Sequence, residues 1–293
     1  MRAYGKRGDL LDDRSVLRFS MPECSGRVYV SPMRSNPLRD ALSNSTPAIG
    51  CWLSIPSSTT AEVAGRVGFD YCCIDMQHGL IDYSDVVPML QGLSLSNVTA
   101  TVRVPWNEPG IIGKVLDAGA MAVIVPMVNT VEECEAAVQR GMYPPRGARS
   151  SGPIRVMPLE GPDYADVANE HVLMIPMIET VQAVENIDGI LSVDGVQAIY
   201  VGPMDLGVSM GLGRGTTDPA FFEVLDHIAD RCAAHGVVAG IHASPDTTTN
   251  RIERGYNMVT AHSDLLSMRA GLVDALSIAR NAEVEDAGAG GGY

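Results

Sequence analysis

An α/β fold, a single (β/α)8 TIM barrel, is what the sequence predicts, on three observations. Eight short apolar runs alternate with eight amphipathic segments, several junctions share one grammar of helix end, glycine and buried strand, and no glycine-rich nucleotide turn follows the first run. Strand–helix repeats in fixed order indicate a parallel sheet, and eight of them suit closure into a barrel. The chain has 293 residues, 46% of them hydrophobic, enough for one large core. Barrels of about 250 residues ordinarily form one domain. Aromatics are only 5%, so the core must come from Val, Ile, Leu, Met and Ala, as in strands buried on both faces.

Taken in order, the predicted strands are Ala48–Leu53, Tyr71–Asp75, residues 100–104, residues 122–127, Leu173–Ile178, Ala198–Val201, residues 237–241 and residues 258–260. The predicted helices are residues 60–67, 83–95, 109–118, 131–140 and 181–190, Pro219–His235, residues 246–254 and Asp264–Arg280. "AGRVGFDYCCID", "LDAGAMAVIVP" and "IERGYNMVTA" each place a glycine where a helix stops in a left-handed residue before the next strand. The connection after Met127 widens into "RGMYPPRGARSSGPIRVMPLEGPDYADVANEH", a length usual for a functional or interface insertion. An open, doubly wound sheet would use the same alternation but carry a glycine-rich turn after its first strand. "SIPSSTTAE" stands there instead, while "GLGRG" follows a short helix and "GIIGK" is too short for a phosphate loop. The expected organisation is a disordered extension over residues 1–33, the barrel over 34–281 and a glycine-rich disordered tail over 282–293. Met33 offers an alternative start.

Composition excludes several classes of partner. The net charge is −14 and no run of Lys or Arg occurs, which argues against nucleic acid, since phosphate neutralisation needs clustered cations. No apolar stretch approaches the roughly 18 residues that span a bilayer. The basic start lacks a continuous apolar segment, so no signal peptide is expected. Six cysteines without a CxxC pair read as reduced thiols of a cytoplasmic protein.

In a barrel enzyme the site forms at the C-terminal ends of the strands. Those ends supply Asp75, Gln77 and His78 after the second strand, Arg103 at the third, Glu179 at the fifth, Asp205 at the sixth and His242 at the seventh. Glu179 and Asp205 close strongly apolar strands, where an unpaired carboxylate is expensive. Two carboxylates plus waters are the usual protein share of an Mg2+ or Mn2+ site; the alternative is that each caps the following helix. Arg103 either stabilises an oxyanion or forms a structural salt bridge to Glu179 or Asp75. His78, three residues after Asp75, suits proton transfer near neutral pH if a carboxylate holds one ring nitrogen. His242 is a weaker candidate. Lys6 and Lys114 are the only lysines, one in the extension and one on an outer helix. A Schiff-base lysine at the barrel mouth is therefore excluded, and an enolate would need a cation.

"GCWLSIPSSTTAEVAGRVGFDYCCIDMQHG", "VRVPWNEP", "VPMVNTVEECEAAV", "YPPRGARS" and "MIPMIETVQAVENIDGILSVDGVQAIYVGPMDL" together resemble the HpcH/HpaI family of metal-dependent pyruvate aldolases, typified by 4-hydroxy-2-oxoheptanedioate aldolase. The likeness runs from about Asn36 to Arg280. It implies a barrel assembled as a hexamer with exchanged C-terminal helices, and a divalent cation (Mg2+, Mn2+ or Co2+) on Glu179 and Asp205. It also implies that Arg103 steadies a pyruvate enolate, that His78 supported by Asp75 manages protons, and that Gly202, Pro203 and Met204 hold the 2-oxo acid's carboxylate through backbone N–H groups. The expected activity is reversible aldol cleavage of a 4-hydroxy-2-oxo acid to pyruvate and an aldehyde. Citrate-forming and ring-forming synthases on the same scaffold, which work on oxaloacetate, are the enzymatic alternatives. A non-catalytic scaffold that binds 2-oxo acids is the alternative of another class. Three positions depart from the family pattern: Gln77 stands where Glu is frequent, Met204 where a small residue is, and His242 where an apolar residue is expected.

Overall fold

The computed structural model describes residues 36–283, so the expected extension (with Lys6, Cys24 and Met33) and nearly all of the expected tail lie outside the described residues. Eight strands form a closed barrel: β1 (Ala48–Leu53), β2 (Tyr71–Asp75), β3 (Thr99–Arg103), β4 (Ala122–Val125), β5 (Leu173–Ile178), β6 (Ala198–Val201), β7 (Val238–His242) and β8 (Tyr256–Ser263). Each is parallel to the next, and β8 returns to β1. All eight predicted strands are present, with ends that move by a few residues.

Side chains alternate across each strand. One set points outward and packs beneath the helices: Cys51, Leu53, Cys72, Ile74, Val102, Val123, Val125, Ile178 and Val201 belong to it. The other fills the barrel interior with Ala48, Trp52, Tyr71, Cys73, Ala122, Ile124, Ile175, Met177, Tyr200 and Met258. Gly50 sits where a Cβ would lie within 2.1 Å of the Tyr71 ring, so a bare backbone makes room for an interior tyrosine. Strand registers, with the one-residue stagger per strand of an eight-strand barrel of shear 8, stack the interior in layers of four from alternate strands. The upper odd-strand layer is Trp52, Arg103, Met177 and His242; beneath it lie Cys73, Ile124, Tyr200 and Thr260.

The helices around the barrel include α2 (Ser58–Val67), α3 (Tyr83–Leu93), α4 (Pro109–Asp117), α5 (Val131–Gly141), α11 (Pro219–His235), α12 (Thr248–Glu253) and α13 (Asp264–Arg280). Their starts follow capping chemistry: Ser57 Oγ accepts from the Thr60 N–H, and Thr130 with Glu133 forms a capping box. Gly68 and Gly255 stand at φ 110° and 95°, as the helix-end grammar predicts.

Three features differ from the sequence expectation. The helix expected over 181–190 breaks into α8 (Val181–Glu185) and α9 (Ile187–Leu191), because Asn186 leaves helical geometry and its amide donates to the Asn129 carbonyl at 2.8 Å. The long insertion folds as α6 (Val156–Glu160) and α7 (Tyr164–His171), around a satellite cluster of Tyr143, Val156, Tyr164 and Ala168. Arg149 is buried over the Tyr143 ring at 4.4 Å and pairs with Asp117 at 2.7 Å, pinning that insertion to the barrel. An unpredicted helix, α1 (Pro37–Ser43), places Leu38 and Leu42 in the interior cluster; at seven residues it is too short for a periodic signal. The short helix expected before "GLGRG" is α10 (Pro203–Ser209), which follows β6 directly. The five described cysteines are free and buried. Among the described residues, no helix is long and apolar enough to cross a membrane.

Candidate active site

The upper interior layer forms the floor of a pocket of about 380 Å³, lined by Trp52, Arg103, Met177, Glu179, Tyr200, Gly202, Pro203, Met204, Asp205 and His242. Trp52 is the hub of the floor. Tyr200 stacks on it from the layer beneath (5.6 Å between centroids, 26° between planes), His242 meets it edge-to-face at 5.2 Å, and the Arg103 guanidinium lies 5.0 Å from its centroid.

Arg103 and Asp75 end neighbouring strands in direct register. Both are buried, and they form a fork: Arg103 Nε donates to Asp75 Oδ1 at 2.8 Å and Nη2 to Oδ2 at 2.5 Å. Trp52 Nε1 adds a donor to Oδ2 at 3.0 Å, and the Gln77 and His78 amides donate to Oδ1 at 3.0 and 3.3 Å. Burial pushes the Asp75 carboxyl upward, but the hydrogen bonds and charge of Arg103 prevail and hold it below the usual carboxylate range. The salt-bridge reading of Arg103 therefore has its partner in Asp75. The Asp75 carboxylate, expected to support the His78 ring, reaches residue 78 through the backbone amide.

Glu179 is only 1% exposed, one residue beyond β5. Its Oε1 accepts from the Met127 N–H at 2.7 Å. Met127 holds φ 55°, an uncommon conformation for a non-glycine residue, and this strained turn at the end of β4 aims its N–H at the carboxylate. The other oxygen faces Gly202, where an added Cβ would stand 2.4 Å from Oε2; only glycine leaves that space. Burial raises the Glu179 pKa; the Met127 amide opposes the rise, the nearby Asp205 charge adds to it and the Arg103 charge opposes it.

Thr180, not Glu179, caps α8, by accepting from the Ala183 N–H at 3.1 Å. Asp205 is the third residue of α10, so it faces the pocket and also favours the helix dipole. The carboxylate pair fits a cation: one buried oxygen is anchored, the other is open, and like charges face each other. No group of three or more His, Cys, Asp or Glu converges on a metal-sized point among the described residues, so the chain would supply two ligands and leave the others to water or substrate.

Of the candidate residues, the pocket brings together Arg103, Glu179, Gly202, Pro203, Met204, Asp205 and His242. Gln77 and His78 lie on the loop after β2, behind the Arg103–Asp75 fork, and His78 is exposed at the mouth. The Gly202–Met204 turn offers fewer amides than expected. Proline has no N–H, and the Gly202 N–H is committed to the Ile178 carbonyl at 3.3 Å. Only the amides that follow, at Met204 and Asp205, remain for an anion. Trp52, Met177 and Tyr200 were not singled out from sequence. Counting back by two from Glu179 would have found Met177, whereas no polar strand-end candidate stands two residues beyond Trp52 or Tyr200. Lys114 is exposed on α4, with its ammonium 4.9 Å from the Tyr83 ring, away from the pocket.

A family model described as HpcH/HpaI aldolase/citrate lyase matches residues 48–270, from the first strand to the last helix. The chain belongs to this family. As a member it is an enzyme, an aldolase of the lyase class. It is 37% identical over 248 residues to a hydroxypyruvate/pyruvate aldolase from Rhizorhabdus wittichii, covering 84% of this chain and 99% of that one. It is also 37% identical over 239 residues to a 5-keto-4-deoxy-D-glucarate aldolase from Salmonella arizonae, covering 80% and 93%. A solved HpcH/HpaI family structure from Burkholderia cenocepacia superposes with a TM-score of 0.80 at 29% identity, covering 84% of this chain and all of that one.

Proposed function

We propose that this aldolase cleaves a 4-hydroxy-2-oxo acid reversibly to a pyruvate-type 2-oxo acid and an aldehyde, with Mg2+, Mn2+ or Co2+ held by Glu179 and Asp205. The observation that carries this reading is the pairing of those two carboxylates with a buried, fixed guanidinium across one small pocket. A cation held there supplies positive charge to the oxygens of a chelating 2-oxo acid. Arg103 donates to the C2 oxygen as negative charge builds on it when the C3–C4 bond breaks. Asp75 positions that guanidinium and cancels its charge in the ground state. The Met204 and Asp205 amides take the substrate carboxylate at the start of α10. His78, at the mouth, removes the 4-hydroxyl proton in cleavage and returns it in condensation. Gln77, beside it, shapes the aldehyde side.

The reading extends to assembly as a cytoplasmic homohexamer. On α13, Leu265, Met268, Leu272 and Leu276 are exposed at helical spacing along one side. An apolar stripe on a 17-residue helix with Asp264 as its one buried residue calls for a second copy of the chain.

Deuterium exchange at C3 of pyruvate, followed by NMR in D2O, tests the central step. Exchange should require added cation, stop on chelation and return with Mn2+ or Mg2+. Glu179→Gln and Asp205→Asn should each weaken cation binding about tenfold or more. Undiminished exchange in the chelated enzyme would overturn the proposal.

A further inference from the structure

Glu179 is carried by one turn and hydrogen-bonded by another. It stands just beyond β5, next to Thr180 at the head of α8, and its Oε1 takes the N–H of Met127 from the turn that follows β4. A carboxylate divided in this way keeps its place only while the two turns keep theirs. One side chain outside the pocket spans both turns, and it is Asn129.

The Asn129 backbone is fixed first. Glu133, in the capping box of α5, accepts the Asn129 N–H at 2.7 Å, and the Asn186 amide donates to the Asn129 carbonyl at 2.8 Å. The side chain is then held at both of its polar atoms. Its Nδ2 donates to the Met127 carbonyl at 3.0 Å, and its Oδ1 accepts from the Thr180 hydroxyl. These partners set the orientation of the amide, since a carbonyl can only accept and the Thr180 oxygen already accepts from the Ala183 N–H. Each partner sits one step from Glu179. Met127 supplies the N–H on Oε1, and Thr180 follows Glu179 in the chain.

Met127 shows why such a staple is needed. A non-glycine residue at φ 55° persists only where its surroundings over-determine it. With its N–H on Glu179 and its carbonyl on Asn129, both backbone polar groups are engaged. Relaxed to an ordinary φ, the Met127 N–H would turn away from Oε1, and Glu179 would lose the bond that fixes its carboxylate.

We propose that Asn129 is a positioning residue for the cation site, tying the turn after β4 to the turn after β5 and so holding Glu179 in the orientation that binds the divalent ion. The proposal rests on the cation-dependent reading of the pocket given above. Asn129 does not line the pocket, so its loss should appear in cation affinity and not in the chemistry of the loaded enzyme.

Mn2+ binding to the full chain, followed by electron paramagnetic resonance of the free ion, tests this. Asn129→Ala should weaken the Mn2+ Kd about tenfold, the usual effect of losing a partner behind a metal ligand. At saturating Mn2+, C3 exchange of pyruvate should return close to the wild-type rate. In a Thr180→Val background, where the staple is already cut, Asn129→Ala should cost clearly less. Asn169→Ala is the control. It breaks two hydrogen bonds to the Tyr143 backbone from α7, at the opposite end of β5, and should lower Tm without changing Mn2+ affinity. Asn129→Leu, similar in shape and without polar atoms, takes the place of the Ala variant if that one does not fold. Wild-type affinity in the Asn129 variant, the same loss in Asn169→Ala, the same loss in both Thr180 backgrounds, or exchange that stays depressed at saturating Mn2+ would each overturn the assignment. Glu179→Gln, measured alongside, separates the two failures: unchanged Mn2+ binding there overturns the cation reading itself.

Discussion

Arg103 and His78 act on different atoms of the substrate, so their loss should be separable by choice of reaction. Arg103→Lys keeps the charge but loses the fork that Asp75 holds, and kcat should fall about 10²–10³-fold. It should fall in aldol cleavage and in oxaloacetate decarboxylation alike, because both develop charge on the same oxygen. His78→Ala should damage aldol cleavage far more, within the 10²–10⁴-fold range of general acid–base catalysis, since decarboxylation has no hydroxyl proton to remove. Equal losses in the two reactions would reduce His78 to shaping the mouth. At this scale the sequence reveals residue types and strand ends well. It does not reveal who holds whom: Asp75 and Arg103 are 28 residues apart, and only the register of β2 on β3 makes them partners. Nor does it reveal that the Gly202 amide is spent on Ile178.

Elements long enough to repeat their pattern are legible; those of one or two turns are not. All eight strands and the two 17-residue helices, α11 and α13, match the sequence expectation, whereas α1, α6 and α7 escape it. Tertiary contacts, not periodicity, stabilise such short pieces, as when the Leu38 N–H donates to Thr99 Oγ1 at 2.9 Å. The helix α13 carries a prediction of its own. Asp264 anchors its first turn by accepting from the Ser54 and Ile55 amides at 2.9 and 3.1 Å, while the apolar stripe beyond it is exposed. Met268→Glu combined with Leu272→Glu should leave the barrel folded by circular dichroism but shift light scattering from the proposed hexamer to smaller species. An unchanged mass would show that α13 does not join the subunits.

The whole molecule should lose stability in acid through one pair in particular. The folded Asp75 carboxyl titrates below its unfolded value of about 3.9, so the folded state binds fewer protons in that window. The stabilisation is present above about pH 4 and is lost as pH falls further, through the folded value. Asp75→Asn should flatten this acid dependence. It should also cost about 3–5 kcal/mol at neutral pH, because it leaves a buried guanidinium without its counter-charge. Urea melts at a series of pH values measure both; an acid limb unaltered in the variant would place the sensitivity elsewhere. The barrel as a whole was readable because its eight repeats leave so few closed arrangements, but the layering of its interior needed the strand registers. That layering has an optical consequence. Of the two tryptophans, Trp106 is 53% exposed, while Trp52 is buried against a guanidinium, a phenol and an imidazole at the bottom of the pocket. With Trp106 replaced by Phe, the chain keeps a single indole whose emission reports the polarity and charge of that floor. Occupancy of the pocket could then be followed by its light alone, without a coupled assay and before any bond is broken.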